Sequence, residues 1–316
     1  MQVKHLKTVH LTYPLNLEEI DFPETVAAIG FFDGIHMGHQ QVIKTAVLEA
    51  RRRQLKSAVM TFYPHPSVVL NKDVKHVQYI TPLPEKEAVL KDLYVDYLYI
   101  ITFNQELSRL LPEEFIDHFI VGLNVKHLVA GFDYTYGHKG QGNMGNIETY
   151  AKGRFTHSTI DKLDLINEKV SSTRIRHYLH EGQIENVNLL LGRPFRLSGI
   201  VRQGDQRGRT IGFPTANIDV GDDILLPKLG VYGVHIYVDQ RKYDGMANIG
   251  VKPTFKDDQP KPSVEVNIFD FNQDIYGKEV QVELIHFIRP EQKFANVEAL
   301  IQQIKQDEIK IRQLLT

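Results

Sequence analysis

The chain has 316 residues, 42% hydrophobic and 24% charged, an ordinary globular composition and enough length for two domains. Its net charge of −2 gives no basic excess to argue for nucleic acid, and the absence of cysteine excludes disulfides, thiolate metal sites and thiol nucleophiles. The opening MQVKHLKTVHLTYPLNLEEI lacks a signal-peptide core and no apolar run approaches a membrane span, so a cytoplasmic protein is expected, free of membrane and nucleic-acid partners.

Val26 to Phe32 reads as a short buried strand. His39 to Gln54 follows as a helix, with Val42, Ile43, Ala46, Val47 and Ala50 on one face. Ala58 to Phe62 is again strand-like and stops at Tyr63-Pro64-His65-Pro66. Glu85 to Leu93 reads as helix and Tyr97 to Phe103 as strand. Pro112 to Val121 reads as helix, with proline and two acids at its start, and Val125 to Ala130 as strand. Strands alternating with helices predict a parallel sheet with crossover helices, whose ligands gather at the carboxyl ends of the strands. From Phe195 the period changes to two: Tyr232 to Val238, Val264 to Phe269 and Val280 to Phe287 alternate, separated by turns at Asp239-Gln240, Asp257-Asp258 and Tyr276-Gly277-Lys278. That pattern predicts an antiparallel barrel or sandwich. A last helix carries the stripe Val297, Leu300, Ile301, Ile304, Ile311 and Leu315, with Asn296 as its N-cap. The boundary is expected between Gly182 and Gly192, giving domains 1–186 and 187–316.

Four stretches carry polar chemistry. The first, Gly30-Phe31-Phe32-Asp33-Gly34-Ile35-His36-Met37-Gly38-His39, joins a strand to a helix. Glycines, free helix N–H groups and two imidazoles at one place suit a polyphosphate. The spacing is neither that of a Walker loop nor that of a dinucleotide fingerprint. Zinc binding and ordinary surface histidines are the competing readings of the pair. In the second, Ser171-Ser172-Thr173-Arg174-Ile175-Arg176, hydroxyls precede an amphipathic stretch; it is either an N-cap alone or a second anion site. The third, Gly204 to Asn217, is glycine-rich, with Gly208, Arg207 and Arg209, and ends in Thr215 and Asn217, whose oxygens suit hard Mg²⁺. The fourth is Glu265, which alternation sets opposite Val264, Val266 and Ile268 with Asn267 and Phe269; it is either a solvated strand residue or a base.

The first stretch resembles the H-x-G-H signature of nucleotidyltransferases, in its FAD synthetase branch. Thr61-Phe62-Tyr63-Pro64-His65-Pro66 and Gly131-Phe132-Asp133-Tyr134-Thr135-Tyr136-Gly137 are similar to two further segments of that branch, the second with tyrosines for the usual phenylalanines. The run Gly204 to Asn217 resembles the G-x-x-x-G-R-x-x-G-F-P-T-A-N signature of riboflavin kinases. Asn248 to Phe255, Val264 to Phe271, Tyr276-Gly277-Lys278 and Ile288 to Phe294 extend the likeness, with Lys252 for a usual arginine and Asn267 for a commoner histidine. A bifunctional riboflavin kinase/FAD synthetase is thereby implied: a Rossmann-like α/β nucleotidyltransferase domain followed by an antiparallel β-barrel with a terminal helix.

The resemblance implies Mg²⁺ as cofactor, ATP as co-substrate, and riboflavin, FMN and FAD as substrates and products. It implies ATP contacts from Gly30, Phe32, Asp33, Gly34, Gly38, Asp133, Ser171, Ser172 and Thr173 in one site, and from Gly204, Gly208, Arg209, Thr215 and Asn217 in the other. Flavin contacts fall to Phe62, Pro64, His65, Pro66, Tyr136 and Arg289, and the metal to Thr215 and Asn217. Adenylyl transfer to an FMN phosphate, already an anion, needs alignment and charge stabilisation, the expected work of His36, His39 and Arg176. Phosphoryl transfer to a hydroxyl needs a base, for which Glu265 is the candidate. Rival readings are activation of another phosphorylated substrate, a flavin-binding regulator without chemistry, and a protein gripping nucleic-acid phosphates.

Overall fold

The computed structural model describes residues 5–16, 22–165, 168–204, 207–252 and 261–316. The chain divides by its contacts into two compact units, Met1–Val77 with Thr81–Val170, and Gln78–Ile80 with Ser171–Thr316.

The first unit is built on β1 (Lys7–Thr12), β2 (Thr25–Ile29), α1 (Met37–Arg53), β3 (Lys56–Tyr63), α2 (Pro66–Leu70), α3 (Leu83–Asp92), β4 (Tyr97–Thr102), α4 (Pro112–Phe115), β5 (Val125–Gly131), β6 (Thr135–Tyr136), β7 (Gly142–Asn143), α5 (Ile147–Ala151), β8 (Thr156–Ile160), β9 (Asp164–Leu165) and β10 (Glu168–Lys169). The main sheet has the order β1-β4-β3-β2-β5-β8, and every pairing in it is parallel. Its central strands are apolar on both faces because both are covered. On one side Val26, Ala28, Val59, Leu98 and Val129 pack against Val42, Ile43, Ala46 and Val47 of α1 and Val89 and Leu90 of α3. On the other, Ala27, Ile29, Met60, Tyr99 and Leu128 meet Phe115, Ile116, Phe119 and Ile120. The helix expected over 112–121 is one α-turn followed by a π-helical stretch, Ile116–Val121. Wider bonds such as Gly122 N to Asp117 O turn Phe115, Ile116, Phe119 and Ile120 together onto the sheet. The chain leaves β2 for β3 and β4 on one side and returns as β5 on the other. That order makes a switch point at the carboxyl ends of β2 and β5, where such sheets bind ligands.

The second unit comprises α6 (Ser172–Glu181), α7 (Ile184–Leu191), β11 (Phe195–Arg202), α8 (Arg207–Thr210), β12 (Ala216–Asp219), β13 (Gly230–Val238), β14 (Arg241–Lys252), β15 (Lys261–Ile268), β16 (Glu279–Pro290) and α9 (Val297–Leu315). Its strands close into an antiparallel barrel, β11-β12-β15-β14-β13-β16, which removes both sheet edges. Tyr79 adds a parallel bridge to Ile224. The contact division falls before α6 and not at residue 186, because both helices are bonded into the barrel unit. Asn188 donates to the Leu284 carbonyl at 2.8 Å and accepts from Phe195 N at 2.7 Å, and Lys228 N donates to the Leu179 carbonyl at 2.8 Å.

Asn296 caps α9, accepting from Ala299 N at 2.8 Å as its sequence position predicts. Along the expected stripe Ile304, Ile311 and Leu315 pack with Val231, Met246, Phe269 and Ile288, while Val297 is exposed. Ile311 reaches the barrel where Gly233 leaves room; a Cβ there would stand 3.2 Å from the Ile311 side chain. Ile311 is wholly buried, and Ile311→Ala is expected to cost about 2–5 kcal/mol of barrel stability. Hydrogen exchange followed by mass spectrometry checks this: β13 and β14 should exchange faster, and the parallel sheet should not.

Candidate functional site

In the first unit, the turn between β2 and α1 is bent by left-handed backbone at Phe32 (φ 51), Gly34 (φ 90) and Ile35 (φ 40). Only the glycine adopts this freely, and a β-branched residue there is strained. Several polar ties hold the turn. Thr61 Oγ1 donates to the Phe31 carbonyl at 2.8 Å, Lys86 Nζ donates to the same oxygen at 2.8 Å, and Gln40 Nε2 donates to the Ile35 carbonyl at 3.1 Å. Asp33 is buried and accepts from Thr81 N at 3.1 Å. Gly30 and Gly38 leave space for rings: a Cβ would stand 3.0 Å from the Phe32 ring at the first and 3.3 Å from the His36 ring at the second.

The turn delivers both imidazoles. His36 is the N-cap of α1, its Nδ1 accepting from His39 N at 3.2 Å. The two rings stack with centroids 3.5 Å apart, and Phe32 meets His39 edge-on. Burial first, then the neighbouring His36, Lys86 and Lys169, hold His39 well below the usual histidine range. His39 Nδ1 is buried with no protein partner among the described residues.

His39 opens on a cavity of about 810 Å³, lined also by Gly30, Phe32, Phe62, Pro66, Phe103, Phe115, Asp133, Tyr134 and Tyr136. The hydroxyls of Tyr134 and Tyr136 are buried there without protein partners among the described residues. Of the residues expected to touch nucleotide or flavin in this unit, Gly30, Phe32, His39, Asp133, Phe62, Pro66 and Tyr136 line the cavity. Asp33, Gly34, His36, Gly38, Pro64 and His65 do not. His65 instead caps α2 through Ser67 N at 3.1 Å and packs edge-on against Phe31. A second cavity of equal volume opens at the amino ends of the strands, beside Glu24, Arg51 and Asp96. The Asp96 carboxylate there already accepts from Ser57 N at 2.9 Å and Ser57 Oγ at 2.8 Å.

Ser171, Ser172, Thr173 and Arg176 belong to the second unit. Ser171 caps α6, its Oγ accepting from Arg174 N at 3.3 Å. In the barrel, cross-strand register sets Asn217 of β12 opposite Glu265 of β15, and Glu265 opposite Asn248 of β14. Thr215 precedes β12, and its Oγ1 lies 3.5 Å from Glu265 Oε2, at the outer limit of a hydrogen bond. As alternation predicts, Val264, Val266 and Ile268 turn into the core, leaving Glu265 half-buried. Glu265, Thr215, Gly208, Asn248, Asn267 and Arg289 share a cavity of about 350 Å³ with Phe294 and with Leu300 and Ile304 of α9. Gly204 lets the Asn217 amide lie close, since a Cβ would meet it at 2.2 Å. Arg209 is exposed and lines a neighbouring cavity with Thr215. Arg289 donates through Nε and Nη2 to Asp307 of α9 at 2.8 Å, so its fork is largely spent on that carboxylate.

The oxygens gathered by Thr215, Asn217 and Glu265 are hard donors, the kind Mg²⁺ takes alongside substrate phosphates. No cluster of three or more His, Cys, Asp or Glu able to hold a metal occurs among the described residues. Asp205, Gln206, Asp257, Asp258 and Pro253-Thr254-Phe255, with the side chains of Arg207 and Lys252, lie outside the described residues.

Sequence reasoning missed Lys86 and Lys169. Lys86 is 3% exposed, and burial lowers its pKa to about 8 against the opposing Asp33 carboxylate. Its position three and four residues before the buried Val89 and Leu90 of α3 was the available signal. Lys169 pairs with Asp133 at 2.7 Å; nothing in its local pattern marks it.

The FAD synthetase family model matches residues 19–174 and the riboflavin kinase model residues 191–315. A bifunctional riboflavin kinase/FMN adenylyltransferase of Listeria monocytogenes is 49% identical over 303 residues, and one of Bacillus subtilis 45%, each covering 96% of both chains. A crystal structure titled as a macrolide-efflux protein from Streptococcus pneumoniae superposes with a TM-score of 0.87 at 36% identity, covering 96% of this chain and 98% of that one. Efflux is that structure's title; among the described residues here no helix is long and apolar enough to cross a membrane. With both family models met in this order and such relatives matched over nearly their full length, the chain belongs to the bifunctional riboflavin kinase/FMN adenylyltransferase family.

Proposed function

We propose that this chain phosphorylates riboflavin to FMN in its barrel and adenylylates FMN to FAD at its parallel sheet, using ATP in both steps and releasing pyrophosphate in the second. The observation that supports the reading is a pair of chemically different sites: at one, stacked imidazoles at a helix start with the Asp133 carboxylate tied to Lys169, and at the other, a carboxylate beside a hydroxyl and opposite two amides in register. Residues 1–186 carry the adenylyl transfer segments and 187–316 the kinase segments. The substrates are small molecules and not nucleic acid, in keeping with the net charge of −2, and the setting is cytoplasmic.

In the first site an FMN phosphate oxygen attacks the α-phosphorus of ATP and the bond to pyrophosphate breaks. The attacking oxygen is already anionic, so catalysis is alignment and stabilisation of charge on the leaving group. His39 faces that charge from the start of α1, with His36 stacked against its ring, and Ser171, Ser172, Thr173 and Arg176 are the phosphate donors carried by α6 and its cap. A neutral His39 donates a hydrogen bond without adding a titrating charge. Phe62, Pro66 and Tyr136 receive the flavin on the apolar side of the cavity.

In the second site the ribityl 5′-hydroxyl attacks the γ-phosphorus, and its proton passes to Glu265 late in a loose transition state. Thr215 and Asn217 would hold Mg²⁺, which neutralises phosphate charge when bound. Gly204, Gly208 and Arg209 border the nucleotide, and Arg289, held by Asp307, borders the flavin.

Mass-resolved product analysis of riboflavin with ATP and Mg²⁺ tests the reading: FMN should appear first and FAD after it, and failure to form either overturns it. Glu265→Gln should slow FMN formation about 10²–10⁴-fold while FAD still forms from supplied FMN. His39→Ala should do the reverse, slowing FAD formation about 10²–10³-fold and sparing riboflavin phosphorylation. Histidine titration by NMR should place the His39 midpoint well below the ordinary value near 6.5, because its lowered pKa keeps the ring neutral as pH falls.

A further inference from the structure

Lys86 is a buried cation that the mechanism above does not use. Its ammonium donates to the Phe31 carbonyl at 2.8 Å and to Thr61 Oγ1 at 3.1 Å, and it lies 5.2 Å from the Phe31 ring centroid. Thr61 itself donates to the Phe31 carbonyl, so both lone pairs of that oxygen are engaged. Phe31 is the last residue before the left-handed stretch at Phe32, Gly34 and Ile35, which sets His36 as the cap of α1 and brings His39 onto its ring. Strained backbone persists only where its surroundings over-determine it.

A neutral hydroxyl already answers the Phe31 carbonyl, and burying an ammonium beside it is costly. The buried Asp33 carboxylate of the same turn offsets part of that cost, so the ammonium, the carboxylate and the Phe31 carbonyl lock the turn together. The positive charge has a use at this place, since it stands behind the turn on which an anion is to be received.

We propose that Lys86 is a positioning residue for adenylyl transfer: it fastens the Phe31 carbonyl, holds the strained turn that carries His36 and His39, and supplies fixed positive potential beneath the phosphates. The proposal rests on the functional reading above. It assigns Lys86 no contact with substrate and no proton transfer.

The test uses Lys86→Gln, which keeps an N–H donor without the charge, and Lys86→Arg, which keeps both. Riboflavin phosphorylation by the same protein, together with thermal unfolding, reports whether the chain is intact. Lys86→Gln is expected to lower kcat for FAD formation about tenfold or more, with KM for FMN changed by less than about threefold and the kinase rate unmoved. Lys86→Arg should recover most of the lost kcat. The proposal is overturned if Lys86→Gln makes FAD at the original rate, if KM rises with kcat unchanged, or if Lys86→Arg is no better than Lys86→Gln. Should Lys86→Gln fail to fold, Lys86→Arg alone decides: a folded protein with kcat for FAD formation reduced like that of a His39→Ala protein overturns the role. An unaltered protein that phosphorylates riboflavin but makes no FAD overturns the functional reading itself, and the role of Lys86 with it.

Discussion

Charge removed from water has to be answered by the protein, and the turn after β2 is arranged around that constraint. Lys86 is almost wholly buried, and the displacement of its pKa from 10.5 to about 8 corresponds to roughly 3 kcal/mol at about 1.4 kcal/mol per unit. That figure is what remains after the opposing Asp33 carboxylate has acted, and Asp33 belongs to the turn itself, as does the Phe31 carbonyl that accepts from the ammonium. The same burial acts on His39 with the opposite consequence. Imidazole can shed its proton near neutrality, so His39 responds to burial and to three neighbouring basic groups by becoming neutral. One buried base therefore stays largely charged at pH 7 and the other does not, because lysine starts four units higher.

The two units meet different chemical demands with different kinds of scaffold. A parallel sheet ends its strands at one edge, where loops and helix N-termini converge, which suits donors aimed at phosphate. The antiparallel barrel instead sets side chains side by side across its strands. Asn217, Glu265 and Asn248 stand in one row of register on three neighbouring strands, so a carboxylate is held between two amides by backbone pairing alone. That placement suits a base whose main work is to orient a hydroxyl.

The sequence made the central strands legible because burial on both faces writes continuous apolar runs, as in Val26 to Ile29 and Tyr97 to Ile101. The edge strands β1 and β8 escaped notice for the same reason inverted. KTVHLT and THSTI are largely exposed or half-exposed and carry no apolar run. The glycine-rich turn was placed correctly between strand and helix, but its glycines at 30 and 38 serve the Phe32 and His36 rings, a packing relation that spacing does not encode. A change of period marks where barrel strands begin, whereas the contacts that draw α6 and α7 into the barrel unit include Asn188 to Leu284 and Lys228 to Leu179, which are long-range and leave no local mark. Lys86 shares a helical face with Val89 and Leu90, but a lysine there reads as a helix-surface cation until α3 has a known inner face.

The replacement of a commoner histidine by Asn267 has a physical account. Asn267 is 8% exposed, and its Nδ2 donates to the Pro214 carbonyl at 2.7 Å, one residue before Thr215. The bond ties the strand bearing Glu265 to the segment bearing Thr215 and Asn217, and so fixes the spacing between the expected base and the expected metal ligands. The task requires one N–H donor of suitable reach, which an imidazole and a carboxamide both possess. The amide brings no titration, so at this position the tie holds at any pH at which the barrel itself is folded. An aspartate of the same size would supply only acceptors once ionised, and would set a buried charge against the Pro214 carbonyl.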